Sequence, residues 1–226
     1  MNIVCIVAHI DDMELSAGNL IQDYGERGRQ VDILVCAGQD NSVRYAEAMQ
    51  AAKVLGVENY HVRNLPDGRF AEHASTLQQR LEEYIRTRQI DTVMTHFPHD
   101  IHQDHRVVTQ AVHVACRHIP NLIYLQSPGT QHFTPNYFHV ASLAHQQRKQ
   151  DALRCFASQH NVGQTLHLLQ AHAKSLALSY LPPHYLLALQ QKRGEDIYFE
   201  PFHIARHTTI STSLSTSNKL LTKNVK

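Results

Sequence analysis

At 226 residues, with 42% hydrophobic and 18% charged residues, the chain has the size and composition of one globular domain. A net charge of +1, with Lys and Arg scattered along the chain, excludes a nucleic-acid face and a basic membrane-binding helix. No apolar run approaches the roughly 20 residues of a spanning helix, and no charged leader with a cleavage site opens the chain. A cytoplasmic protein without membrane or nucleic-acid partners is expected.

The elements alternate. Residues 2–8 are continuously apolar and rich in Val and Ile, which predicts a fully buried strand. Helical spacing follows over 15–28 (Leu15, Leu20, Ile21, Tyr24), then a second buried strand over 31–37. Ser42 reads as the N-cap of a helix through Val43 to Leu55, closed by Gly56. Residues 60–64 form a third strand, and Leu65-Pro66-Asp67-Gly68 a turn. Ser75 would cap a helix over 76–89 with Leu77, Leu81, Tyr84 and Ile85 on one face. A fourth strand over 91–96 leads into a His-rich loop and a helix over 104–118. This order predicts a doubly wound parallel sheet covered by helices on both faces.

The second half is less regular. Short strands are predicted at 122–126 and 137–142, helices at 145–159 and 164–180, another helix after Pro182-Pro183, and a last strand over 196–205. Residues 207–226, rich in Thr, Ser, Asn and Lys, read as a disordered tail, leaving a single domain over 1–206. The irregular half is also where a homo-oligomer would associate. Cys5, Cys36, Cys116 and Cys155 lie far apart within apolar patterns and are expected to be reduced core residues.

The chemistry lies in two clusters. His9, Asp11, Asp12 and Glu14 follow the first strand, and His102, Asp104 and His105 follow the fourth. Loops leaving the carboxyl ends of parallel strands can meet, because open α/β sheets build their sites there. Histidine pairs alone carry little weight in a chain with 18 histidines. The accompanying aspartates carry the case: His, Asp and His around one divalent ion, with a spare carboxylate beside it. A catalytic zinc keeps three protein ligands and one open position, and lowers the pKa of water toward about 7. One of Asp11 and Asp12 can ligate while the other faces the open side. His105 would complete the ligand set and leave His102 for the substrate, with Asp104 or Asp100 hydrogen-bonding a histidine. The plainer readings are a turn in which Asp12 caps its helix, Asp104 as an N-cap, and Arg44 pairing with Glu47 on a helix surface. Glu14 fits either a supporting role or a first-turn carboxylate. A nucleotide-binding module would need glycines where this chain has His9-Ile10-Asp11-Asp12.

Ala8-His9-Ile10-Asp11-Asp12-Met13-Glu14 resembles the AHPDDxE signature of the PIG-L/LmbE-like zinc deacetylases, and His102-Gln103-Asp104-His105 resembles their HxDH signature. Arg44 and Glu47, the turn at 65–68, Pro98 and Asp100, Phe133 to Asn136, and Lys149 to Gln159 are similar to the same family, so the likeness spans about residues 1–205. The resemblance implies a Rossmann-like three-layer αβα sandwich with a mostly parallel sheet. It further implies hydrolysis of an N-acetyl group, usually from an N-acetylglucosamine unit, by water on a single Zn2+, with Fe2+ or Co2+ as substitutes. By that likeness His9, Asp12 and His105 hold the zinc and Asp11 is the general base. His102 is the oxyanion partner and general acid, with Asp104 in the catalytic group beside it. Arg44, Asp67 and Asp100 contact the small amino-sugar substrate. Related expectations are an amidase acting on another acyl or thiol-conjugate amide, and a silent metal-binding scaffold. The chain departs from the family at Ile10, where proline is usual, and at Ala17, where glycine is common.

Overall fold

In the computed structural model, which describes residues 2–159, 161–194 and 196–208, strand β1 (Ile3–Val7) is buried along its whole length. Ile3, Cys5 and Val7 enter one apolar cluster, while Val4, Ile6 and Ala8 enter another. Successive side chains of a strand point to opposite faces, so a strand covered on both sides is apolar at every position. Strands β2 (Val31–Val35), β3 (Tyr60–Val62), β4 (Thr92–His96) and β5 (Asn121–Leu125) run parallel to it. Strands β6 (Tyr137–Ala141) and β7 (Tyr198–Arg206) complete one sheet of order β3-β2-β1-β4-β5-β7-β6, in which β7 runs antiparallel to both neighbours.

The helices are α1 (Asp12–Glu26), α2 (Ser42–Leu55), α3 (Ala74–Thr87), α4 (Gln103–Ala115), α5 (Leu143–Arg154), α6 (Val162–Tyr180) and α7 (Pro183–Arg193). Residues of α1, α2, α5 and α6 fill the first cluster, and residues of α3 and α4 the second. The sandwich therefore has the three layers expected. Helix α7 buries no residue. Cys5, Cys36 and Cys116 are buried free thiols and Cys155 is a half-buried one. No helix among the described residues is long and apolar enough to cross a membrane.

Helices α1 to α6 start one to three residues before the expected positions, and for the first three a local reason is visible. Helix α1 begins at Asp12, three residues early, because Asp11 adopts a left-handed conformation (φ 87°) and its carbonyl already accepts from the Leu15 amide at 2.9 Å. Asp12 thus lies in the first turn and is not the cap. The cap of α2 is Asn41, whose Oδ1 accepts from the Arg44 amide at 3.1 Å; Ser42 is the first helical residue. Helix α3 has no side-chain cap and grows out of a 3-10 turn at Phe70–His73, so Ser75 lies inside it. Of the expected tail, Thr208 still donates its amide to Asn121 Oδ1 at 3.1 Å, while residues 209–226 lie outside the described residues.

Two features aim the site. Chain order reverses at β1, which pairs with β2 on one side and β4 on the other, so the loops after β1 and β4 face each other across a crevice. A buried ion pair then ties α1 down. Glu200 of β7 accepts from the Asn19 and Leu20 amides at 2.9 Å each, while Lys149 of α5 binds Glu200 at 2.6 Å and the Leu15 carbonyl at 2.7 Å. In an α-helix those two amides address the carbonyls of residues 15 and 16. The pair therefore grips α1 just beyond the turn that carries Asp12.

Candidate metal centre

Asp12 is the centre of the constellation. Its Oδ2 lies 3.5 Å from His9 Nδ1 and 3.4 Å from His105 Nε2, and accepts from the His9 amide at 2.8 Å. Tetrahedral ligands held about 2.0–2.2 Å from an ion stand about 3.3–3.6 Å apart, so these two spacings suit a metal ion shared through Asp12. The rings of His9 and His105 are 5.4 Å apart. Among the described residues, three groups have a ligand atom from each member within 4.8 Å of one another: His9, His102 and His105; Asp12, His96 and His105; and His9, Asp67 and Asp104. The expected set of His9, Asp12 and His105 is not itself one of them, although Asp12 stands between its two histidines.

The outward nitrogens of both expected ligands meet carboxylates. His9 Nε2 lies 3.3 Å from Asp104 Oδ2 and 3.2 Å from Asp67 Oδ1. His105 Nδ1 lies 3.1 Å from Asp100 Oδ2. Metal-bound histidines almost always hand their second N–H to such a group, which fixes tautomer and ring orientation. Asp104 also accepts from the Gly68 amide at 2.7 Å and the Phe70 amide at 3.3 Å, fastening the 65–68 turn to α4. It is not the cap of α4; His102 is, with its Nδ1 accepting from the Asp104 amide at 3.3 Å.

The electrostatics match a cation site. Burial works against protonating His105, yet Asp100 and Asp12 outweigh it and push that imidazole up to about 10. Burial is likewise overcome at His9, which is raised by Asp12 and Asp67. Asp12 is held well below the usual carboxylate range, its burial outweighed by His96, His105 and His9. Burial, then the neighbouring Asp12 and Glu14 carboxylates, push Asp11 up to about 8, with Arg44 and His9 opposing. Burial raises Glu14 to about 7, although Tyr60 donates to its Oε1 at 3.0 Å. The donors thus draw positive charge inward, and their chemistry fits a divalent ion.

A cleft of about 220 Å³ opens beside His9, lined by Ile10, Gly38, Asn41, Arg44, Asn64 and Asp67. Arg44 does not pair with Glu47, whose carboxylate takes the Ser158 amide and hydroxyl at 2.8 and 2.6 Å. Asp67 is 63% exposed at the mouth. His102 is exposed as well, its ring stacked on His105 with centroids 4.5 Å apart. Asp100 departs from its expected place among the substrate groups. It is 4% exposed and engaged by His105, the Ser127 and Thr130 hydroxyls and the His102 amide, which leaves no face for a sugar hydroxyl.

Three participants were missed in the sequence. Ser127 and Thr130 follow β5 and carry no motif. His96 ends an apolar strand, where one more histidine among 18 raised no signal.

Residues 4–116 match the family described as PIG-L, GlcNAc-PI de-N-acetylase. The uncharacterized deacetylase YaiS of Escherichia coli K12 is 32% identical over 147 residues, which cover 60% of this chain and 80% of that protein. Among solved structures, N,N'-diacetylchitobiose deacetylase from Pyrococcus horikoshii superposes with a TM-score of 0.69 at 19% identity, covering 95% of this chain and 88% of the other. The 4-carboxy-2-hydroxymuconate hydratase GalB from Pseudomonas putida KT2440 does so with a TM-score of 0.69 at 17% identity, covering 95% and 100%. At such identities the two structures establish a shared fold, and the pair shows that this fold carries more than one reaction. The family match and the YaiS likeness go further, and the chain belongs to the PIG-L de-N-acetylase family.

Proposed function

We propose that the protein is a zinc-dependent hydrolase that removes the N-acetyl group from an N-acetylglucosamine-type amino sugar or its glycoconjugate. The observation that carries this reading is Asp12 Oδ2 standing 3.5 and 3.4 Å from His9 Nδ1 and His105 Nε2, with the unligated Asp11 next to it in the chain. His9, Asp12 and His105 would hold the ion, and Fe2+ or Co2+ suits the same donors. Bound there, a divalent ion supplies a Lewis acid that polarises the acyl oxygen and lowers the pKa of water to about 7.

The remaining steps belong to the chain. Asp11 accepts the proton of the attacking water and so frees the nucleophile for the acyl carbon. His102, exposed and stacked on His105, donates to the oxygen that becomes negative as the tetrahedral centre forms. A proton then passes to the amine nitrogen, the C–N bond breaks, and acetate and the free amino sugar leave. Asp104 holds His9 and Asp100 holds His105, so neither ring turns as charge shifts. Arg44, Asp67, Asn41 and Asn64 offer the cleft polar groups for sugar hydroxyls, and about 220 Å³ suits one hexosamine ring. The free thiols agree with a cytoplasmic setting. The exposed Leu168, Leu178, Tyr185 and Leu187 of α6 and α7 support the reading that copies of the chain would associate through this half.

Acetate release from N-acetylhexosamines and their conjugates, measured on protein of known metal content, tests the proposal. Activity should require the metal and fall by about 10²–10⁴ in Asp11→Asn. A zinc-loaded wild type that hydrolyses none of these amides would refute it.

A further inference from the structure

His96 closes β4 and is 1% exposed, yet nothing in the reaction above uses it. The β1–β4 ladder ends at Ile6 opposite Thr95. Beyond that point the Ala8 amide finds its acceptor in a side chain, His96 Nε2, at 2.9 Å. A buried amide without a partner costs about 1–3 kcal/mol, so this bond fixes the backbone immediately before His9. The same ring lies nearly parallel to His105, with centroids 3.8 Å apart and planes 8° off, and its Nε2 is 3.5 Å from Asp12 Oδ2. One side chain therefore touches all three of the residues or segments that would hold the metal.

The bond from Ala8 also decides what His96 is not. A ring nitrogen that accepts an N–H has its lone pair committed, and the ring's own proton must then sit on Nδ1, a buried atom with no hydrogen-bond partner among the described residues. His96 belongs by distance to a cluster with Asp12 and His105, but cannot ligate through Nε2 without stripping Ala8 of its acceptor.

Resting on the proposed metal reading, we infer that His96 is a positioning residue of the centre, joining the two motif loops by accepting from Ala8 and seating the His105 ring. It spans the β1–β4 crevice from within the sheet, where Asp100 and Asp104 brace the histidines from outside.

Two substitutions separate its contributions. His96→Gln retains an amide acceptor and loses the stacking face; His96→Phe retains the face and loses the acceptor. Zinc affinity of the metal-free proteins is measured by competition with a chromophoric chelator, beside Asp12→Asn and Leu81→Ala. Leu81 is a core residue of α3, and its truncation lowers stability without touching the site. Each His96 variant should bind zinc about 10–100-fold more weakly, the range for supporting residues of metal sites, while Leu81→Ala binds as wild type. In wild type, a nitrogen–nitrogen coupling across the hydrogen bond should link the Ala8 amide and the His96 ring with or without zinc. Both variants binding zinc within twofold of wild type would overturn the inference. So would His96→Gln losing as much affinity as Asp12→Asn, since His96 would then be a ligand. A wild type that takes up no divalent ion would fell the metal reading and this role with it, and the coupling would show separately whether the Ala8 contact forms. If His96→Phe does not fold, the Gln variant and the coupling decide.

Discussion

The Lys149–Glu200 pair should be asymmetric in what it contributes. Both side chains are 4% exposed, and Glu200 has three donors: Lys149 Nζ at 2.6 Å and the Asn19 and Leu20 amides at 2.9 Å. Lys149→Met removes one of them but leaves the carboxylate two backbone amides. Glu200→Gln leaves a buried ammonium without its counter-ion and gives the two α1 amides a single neutral oxygen. Breaking a buried pair costs about 3–5 kcal/mol, and hydrogen bonds to charged groups contribute about 1.5–3 kcal/mol each. On these figures Lys149→Met falls near the lower end, about 3 kcal/mol, and Glu200→Gln near the upper end, about 5 kcal/mol. At about 2–4 °C per kcal/mol for a chain of this size, their midpoints should differ by about 4–8 °C. The double variant carries no stranded charge and should lose less than the sum by about 1–3 kcal/mol. Urea unfolding with an unchanged m-value reads all three differences. Lys149→Met proving as damaging as Glu200→Gln, or strict additivity in the double variant, would refute the reasoning.

Four further outcomes are expected. Asp11→Asn should lower kcat by about 10²–10⁴ with zinc content unchanged, and loss of the metal would make Asp11 a ligand instead. Asp100→Asn should weaken zinc binding about 10–100-fold, whereas a rise in KM with intact metal affinity would return Asp100 to the substrate. Chelation should lower the melting temperature, since an ion at a thousand times its Kd adds about 4 kcal/mol, and Asp12→Asn should abolish that difference. Gly38 has φ +114°, and a Cβ there would lie 2.5 Å from Ile10 Cδ1. Gly38→Ala should therefore cost about 1–3 kcal/mol by calorimetry, and adding Ile10→Val, which removes Cδ1, should recover only the steric part.

Element order and type were legible because a sheet covered on both faces writes itself as apolar runs, and its helices as 3.6-residue spacing. What was lost was local competition. Asn41 and Ser42 are both good caps and adjacent, and only coordinates show which side chain reaches the Arg44 amide. Ser75 resembled a cap because no periodicity announces the short turn that buries Phe70. At the site, the meeting of His9, Asp12 and His105 could be expected from the two contiguous motifs and their likeness to the family. The second tier could be named only in part: Asp104 or Asp100 as the partner of a histidine was expected, and both hold one. Asp100 becomes a support for His105 through Ser127 and Thr130, 27 and 30 residues away, and Lys149 finds Glu200 across 51.

Ile10 shows how a departure from the usual proline is absorbed. Proline would set φ near about −65° and stiffen the loop by itself. Here stiffness comes from contacts on each side of residue 10. Ala8 is bonded to His96, the His9 amide to Asp12, and the Ile10 side chain, itself fully buried, fills the space over Gly38. The loop is thus held by tertiary packing in place of a ring, which makes its shape depend on β2 and β4 as much as on its own sequence. The same site sets the buried Asp12 beside His9, His96 and His105, and the buried Asp100 beside His105, carboxylates that His9 and His105 offset by favouring the protonated form. A divalent cation relieves the carboxylates' charge without the protons.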